Sequence, residues 1–90
     1  MKVSGVARLV SIPDGKARLE VAGRPMFELN SVAAVIWQNL EAGLSNQEII
    51  SQLVKQFNVS EQRAAYDVTK FVRLLTDHLL VFDDAEITTQ

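Results

Sequence analysis

From Lys16 to Val21 polar and apolar residues alternate, with Ala17, Leu19 and Val21 on one side and Lys16, Arg18 and Glu20 on the other. A period of two sends successive side chains to opposite faces of a strand, so this run predicts a half-buried antiparallel strand. The preceding segment, Val6 to Ile12, is rich in residues that favour strands and stops at Pro13-Asp14-Gly15. Proline fixes φ, aspartate bonds nearby backbone and glycine accepts positive φ, so a turn is expected there. Ala22-Gly23-Arg24 turns the chain again. Pro25 cannot donate a ladder hydrogen bond, so Met26 to Leu29 reads as a short third strand at a sheet edge. Its outer backbone groups are left unpaired, and only Glu28 places a charge within it.

At Asn30 the period changes to that of a helix without a linker. Asn30 or Ser31 can cap the first turn, because their side-chain oxygens accept from free N–H groups. Val32, Ile36 and Leu40 then recur every four residues beside Val35, Trp37 falls on the flank of that stripe at the core edge, and Gly43 is a suitable stop. Ser45-Asn46-Gln47-Glu48 is a capping-box pattern opening a second helix, with Ile49, Ile50, Leu53, Val54 and Phe57 at helical spacing. Asn58-Val59 interrupts it, and Ser60 caps a third helix running to about Leu80. On that helix Ala64, Val68, Val72, Leu75 and Leu79 gather on a core-facing arc. Asp67, Phe71, Leu74 and His78 form a neighbouring shoulder, and Tyr66, Lys70, Arg73 and Asp77 point away. The shoulder either widens the core or lines a groove. Val81-Phe82 either completes the core or pairs with the sheet, and residues 83–90 form a polar tail. The architecture expected is α+β and winged-helix-like: a three-stranded antiparallel sheet followed by a three-helix bundle, in one domain over residues 1–82.

Composition narrows the chemistry. Ninety residues suffice for one core, and 48% hydrophobic with 22% charged residues excludes a disordered chain. The absence of cysteine removes disulfides, thiolate metal sites and thiol nucleophiles together, and suits a reducing cytoplasm. No run approaches the roughly 20 apolar residues of a membrane span, and the first residues lack the pattern of a secretory signal. The N-terminal third is basic through Lys2, Arg8, Lys16, Arg18 and Arg24, while the chain from Ser60 onward is acidic through Glu61, Asp67, Asp77, Asp83, Asp84 and Glu86. These are two solvated surfaces, or a means of steering a charged partner.

A single histidine, His78, supports neither a metal cluster nor a Ser-His-Asp constellation, and its place near a helix C-terminus suits a cap or a rim. Asp83 and Asp84 fall in the tail, and the four glycines stand in turns and ends rather than in a phosphate-binding loop. No enzyme activity, cofactor or metal is expected. The alternative is a winged-helix DNA-binding or transcription-associated protein, since helices two and three have helix-turn-helix spacing. Against it, the recognition helix balances Arg63, Lys70 and Arg73 with Glu61, Asp67 and Asp77, whereas phosphate neutralisation dominates such affinity. The expectation is therefore no nucleic acid and no membrane.

An ordered set of residues remains: Leu29-Asn30, Ala33-Ala34-Val35-Ile36-Trp37, Leu40-Glu41-Ala42-Gly43, Glu48-Ile49, Leu53, Phe57, Asp67-Val68, Phe71-Val72, Leu75 and Leu80-Val81. This set resembles the PqqD-like RiPP recognition element, a leader-peptide-binding domain of ribosomal peptide biosynthesis. The size and the preceding hairpin are most similar to the stand-alone proteins of lasso peptide pathways. The resemblance implies that a precursor's leader adds as an antiparallel strand to the third strand, in a groove whose other wall is helix three. Met26, Phe27, Glu28 and Leu29 would then offer main-chain donors and acceptors. Phe71 and Leu74 would accept apolar leader side chains, and Asp67, Lys70 and His78 would read polar ones. It also implies a separate modifying partner, such as a leader peptidase, cyclase or radical SAM enzyme. An exposed edge strand further permits a homodimer through strand pairing or a swapped hairpin.

Overall fold

A computed structural model describes residues 2–13 and 16–82. Strands β1 (Lys2–Val3), β2 (Ala7–Ser11), β3 (Ala17–Val21) and β4 (Arg24–Leu29) precede helices α1 (Ser31–Glu41), α2 (Asn46–Phe57) and α3 (Glu61–Asp77), and β5 (Val81–Phe82) follows. Strands β2, β3 and β4 form an antiparallel sheet in that order, which makes β4 an edge. The fold is α+β, with a three-stranded sheet before three helices, as the change of period predicts. Asp14 and Gly15 of the first expected turn, and the tail at 83–90, lie outside the described residues. The turn between β3 and β4 is Ala22-Gly23, both at positive φ, as a two-residue hairpin turn requires.

Val81-Phe82 pairs with neither edge of this sheet. It forms a separate two-stranded ribbon with β1, in the register Lys2↔Phe82 and Val3↔Val81. Val81 of the ribbon joins a core built by Leu19 and Leu29 of the sheet, Ile36, Trp37 and Leu40 of α1, Ile49 and Leu53 of α2, and Val68, Phe71 and Leu75 of α3. Two expectations are corrected here. Trp37 does not sit at the core edge but is wholly enclosed, because α1 is packed against α2, α3 and the strands. Leu79 is not on the core face: α3 ends at Asp77, and the backbone turns through His78 and Leu79, which leaves Leu79 exposed.

The helix starts follow local chemistry. Asn30 Oδ1 accepts from Ala33 N–H at 2.9 Å, and Ser60 Oγ from Arg63 N–H at 3.1 Å. At α2 the capping box is complete, with Ser45 Oγ accepting from Glu48 N–H at 3.2 Å and Ser45 N–H donating to Glu48 Oε1 at 2.9 Å. The bond from Ser45 N–H, followed by that from the Ser45 hydroxyl, holds the Glu48 carboxyl below its ordinary range. A depressed carboxylate stabilises above its unfolded pKa, and that stability is lost as pH falls through the folded value. Ser45→Ala is expected to lower stability by about 1 kcal/mol in urea denaturation. The acid dependence should persist in reduced form, because the alanine N–H still faces Glu48.

Candidate functional site

The direction of each backbone group on β4 follows from the ladder on the far side of β3. Ile12 N–H donates to Lys16 O at 3.1 Å, and Ala22 N–H to Val6 O at 2.9 Å, at opposite ends of the β2–β3 pairing. In an antiparallel ladder, alternate residues bond to alternate sides. Lys16, Arg18, Glu20 and Ala22 therefore face β2, while Ala17, Leu19 and Val21 face β4. The register pairs Ala17 with Leu29, Arg18 with Glu28 and Leu19 with Phe27. Phe27 and Leu29 thus spend their N–H and C=O groups on β3, and Glu28 turns both of its groups outward. The expectation that all of Met26, Phe27, Glu28 and Leu29 offer backbone groups is narrowed accordingly. Met26 lies at an irregularity, since the register shifts from Leu19↔Phe27 to Glu20↔Pro25 and leaves it without an opposite residue.

Beside this edge, where β4 passes into α1, an open groove of about 480 Å³ runs between the first turns of α1 and the length of α3. That volume falls in the range of about 300–1,000 Å³ typical of ligand sites. Its lining comprises Asn30, Val32, Ala33 and Ile36 on one side and Arg63, Asp67, Lys70, Phe71, Arg73, Leu74 and Asp77 on the other. Val32 and Ile36 stand one helical turn apart on α1, and Ala33 lines the groove with them. Phe71 and Leu74 face them from α3. Phe71 is only 8% exposed, so it belongs to the core and to the groove at once.

The rim is charged. Arg63 Nε donates to Asp67 Oδ2 at 3.3 Å, one turn along α3, and Lys70 Nζ lies 5.7 Å from the centre of the Tyr66 ring. Arg73 and Asp77 form no ion pair among the described residues. His78 does not line the groove. Its Nδ1 lies 2.9 Å from Leu74 O, and since a carbonyl only accepts, Nδ1 is the donor and the ring caps α3. The same ring meets Phe27 edge-on with centroids 5.0 Å apart, tying β4 to the end of α3.

Of the residues expected at the site, Asp67, Lys70, Phe71 and Leu74 thus line one groove. Glu28 supplies the outward edge, Met26 is an exposed neighbour on it, and Leu29 is buried. Phe27 and His78 form a contact between β4 and the end of α3. The α1 wall and the inward turn of Arg73 and Asp77 are not in the expected set. Val32 and Ile36 carry the signal for the first, an apolar stripe that starts in the first turn of α1, before the helix is enclosed. Among the described residues no helix is long and apolar enough to cross a membrane, and no three His, Asp or Glu side chains gather as a metal site.

Residues 16–81 match the profile of the family described as Coenzyme PQQ synthesis protein D (PqqD). The chain is also similar to TbiB1, whose structure is in complex with the TbiA(beta) leader peptide. The two are 27% identical over 93% of this chain and 100% of that one, with a TM-score of 0.76. No curated protein matches. The family profile covers well over half of the chain, from β3 through the start of β5, and the chain belongs to the PqqD family.

Proposed function

We propose that the chain binds the leader segment of a ribosomally made precursor peptide by strand addition to β4, with leader side chains entering the groove between α1 and α3. The observation that carries this reading is the outward backbone of Glu28 beside a groove walled by Val32, Ile36, Phe71 and Leu74. Strand addition to an exposed edge supplies register through main-chain bonds and selectivity through pockets. Glu28 alone contributes one donor and one acceptor, each with a net effect of about 0.5–1.5 kcal/mol. Micromolar affinity needs about 8 kcal/mol. Most of the binding free energy must then come from apolar side chains buried in the groove, with Asp67, Lys70, Arg73 and Asp77 selecting charge at the rim.

The role is non-catalytic. A bound leader raises the effective concentration of the precursor near a separate modifying enzyme, such as a leader peptidase, cyclase or radical SAM enzyme, held by another surface. The cysteine-free composition suits a reducing compartment, and we place this step in the cytoplasm. Nothing in the groove favours nucleic acid, because Asp67 and Asp77 share its rim with the cations.

Proline at position 28 tests the edge. Glu28→Pro removes the outward N–H and places a ring against the incoming strand, yet leaves the bonds of Phe27 and Leu29 to β3 in place. By fluorescence anisotropy it is expected to bind at least about tenfold more weakly, the effect of lost ladder bonds plus a steric clash. Suitable probes are labelled TbiA(beta) leader peptide and the leader of any short precursor encoded beside this chain. Glu28→Ala, which keeps the N–H and loses only an exposed ion pair with Lys16, should bind as wild type. A folded Glu28→Pro protein with unchanged affinity would exclude strand addition at β4.

A further inference from the structure

Two helices of this chain end in the same backbone motif, with different residues at its demanding position. At the end of α1, Gly43 N–H donates to Leu40 O and Leu44 N–H to Asn39 O, both at 3.0 Å, with Gly43 at φ +85°. At the end of α3, Leu79 N–H donates to Thr76 O at 3.0 Å and Leu80 N–H to Leu75 O at 2.8 Å, with Leu79 at φ +59°. Both are Schellman closures, in which the residue after the cap takes the left-handed region that glycine enters freely. Leucine there is strained by its Cβ. Burial does not offset the strain, since Leu79 is 71% exposed, more than any other large apolar side chain among the described residues.

Leu79 has apolar company. Met26, 47% exposed, precedes the Phe27 that touches His78. Val6, 59% exposed, belongs to the same end of the sheet: its carbonyl accepts from Ala22 in the β3–β4 turn, and Ser4 N–H donates to Leu80 O at 2.8 Å. Exposed apolar side chains from three separate segments therefore belong to the end of the sheet where β4 starts and α3 stops, Val6 on the β2 edge and Met26 on the β4 edge, with Leu79 following the His78 that touches β4. This end lies beyond the groove, past the Phe27–His78 contact.

We infer that Leu79, together with Met26 of the strand that His78 touches, is a second apolar contact for the peptide, outside the groove. The inference rests on the proposed strand addition. A peptide antiparallel to β4 has its upstream part by Leu29 and the groove, and its downstream part passes Met26 and Leu79. The ligand at this point is an apolar side chain of that downstream segment, one continuous chain occupying both places. The leucine is kept at a strained position because the contact improves binding, and a glycine there would serve the fold better.

Leu79→Gly separates these effects. Relief of the left-handed strain should raise Tm by about 4–8 °C in a domain of this size. Against the full labelled TbiA(beta) leader, and against the leader of a precursor encoded beside this chain, the variant should bind about tenfold more weakly than wild type. Leu79→Met should restore affinity. Shortening the peptide from its C-terminal end should abolish the difference between wild type and Leu79→Gly while both still bind. Equal affinity of the two proteins for the full peptides overturns the inference and leaves leader binding intact. So does a loss that is the same for every peptide length, or a loss of self-association in place of peptide binding. An unchanged or lower Tm removes its premise. Wild-type protein that binds neither leader at any length defeats the leader-binding reading and this inference with it.

Discussion

Alanine at Phe71 is expected to lower both global stability and peptide affinity, whereas alanine at Leu74 should lower affinity with the fold intact. The difference follows from burial. Phe71 packs with Val68, Val72 and Leu75 in the core and is 8% exposed, so its truncation leaves a cavity and costs about 3 kcal/mol. A ninety-residue domain has about 5–13 kcal/mol in total, so this is roughly a quarter of its stability or more. Leu74 is half-buried at the groove, and its loss should cost about 1 kcal/mol of stability. Both side chains form the α3 wall of the groove, and affinity is expected to fall about tenfold or more for each. Urea denaturation read beside fluorescence anisotropy separates the two effects. Normal binding by a folded Leu74→Ala protein would remove α3 from the peptide site.

What could be read from the sequence is what local chemistry decides. The alternation over Lys16 to Val21, the switch of period at Asn30 and the capping box at Ser45 each act within a few residues, and each appears where it is expected. The β1–β5 ribbon could not be read in this way. Two residues carry no period, and their partners lie at the other end of the chain, where only the closed core brings them together. Leu79 shows a different limit. A helical wheel extended past Asp77 puts it on the buried arc, but periodicity describes side chains and not the backbone, and a turn closed without glycine gives no warning.

The site was partly legible for the same reason. Asp67, Phe71 and Leu74 share a ridge at helical spacing, and the groove runs along that ridge. The opposite wall was hidden because Val32 and Ile36 belong to a stripe that reads as core, and Ile36 is indeed buried. One face of α1 serves both purposes, with the core at its centre and the groove at its first turn. The outward direction of Glu28 required the ladder on the far side of β3, which fixes the parity of β4 and which no single strand reveals.

Trp37→Ala is expected to be the most damaging single substitution, with a loss of about 3–5 kcal/mol and a fall in Tm on the order of 15–30 °C. Trp37 is the largest side chain that is fully enclosed, and α1, on which it sits, packs against α2 and α3 and against both β1 and β4. A hole at that point cannot be closed by one element moving, because each is tied to others through the same core. Its Nε1 finds no acceptor among the described residues. A buried donor without a partner is itself unfavourable by about 1–3 kcal/mol. Trp37→Phe deletes that donor and only part of the volume, so it should cost far less than alanine. Thermal melts of both variants followed by circular dichroism check this ordering, and equal losses for phenylalanine and alanine would overturn it. The consequence for binding is indirect but large. Ile36, the neighbour of Trp37, lines the groove, and α1 is held at its distance from α3 by the core beneath it. Loss of the indole should therefore blunt peptide binding even under conditions where the alanine variant is still mostly folded.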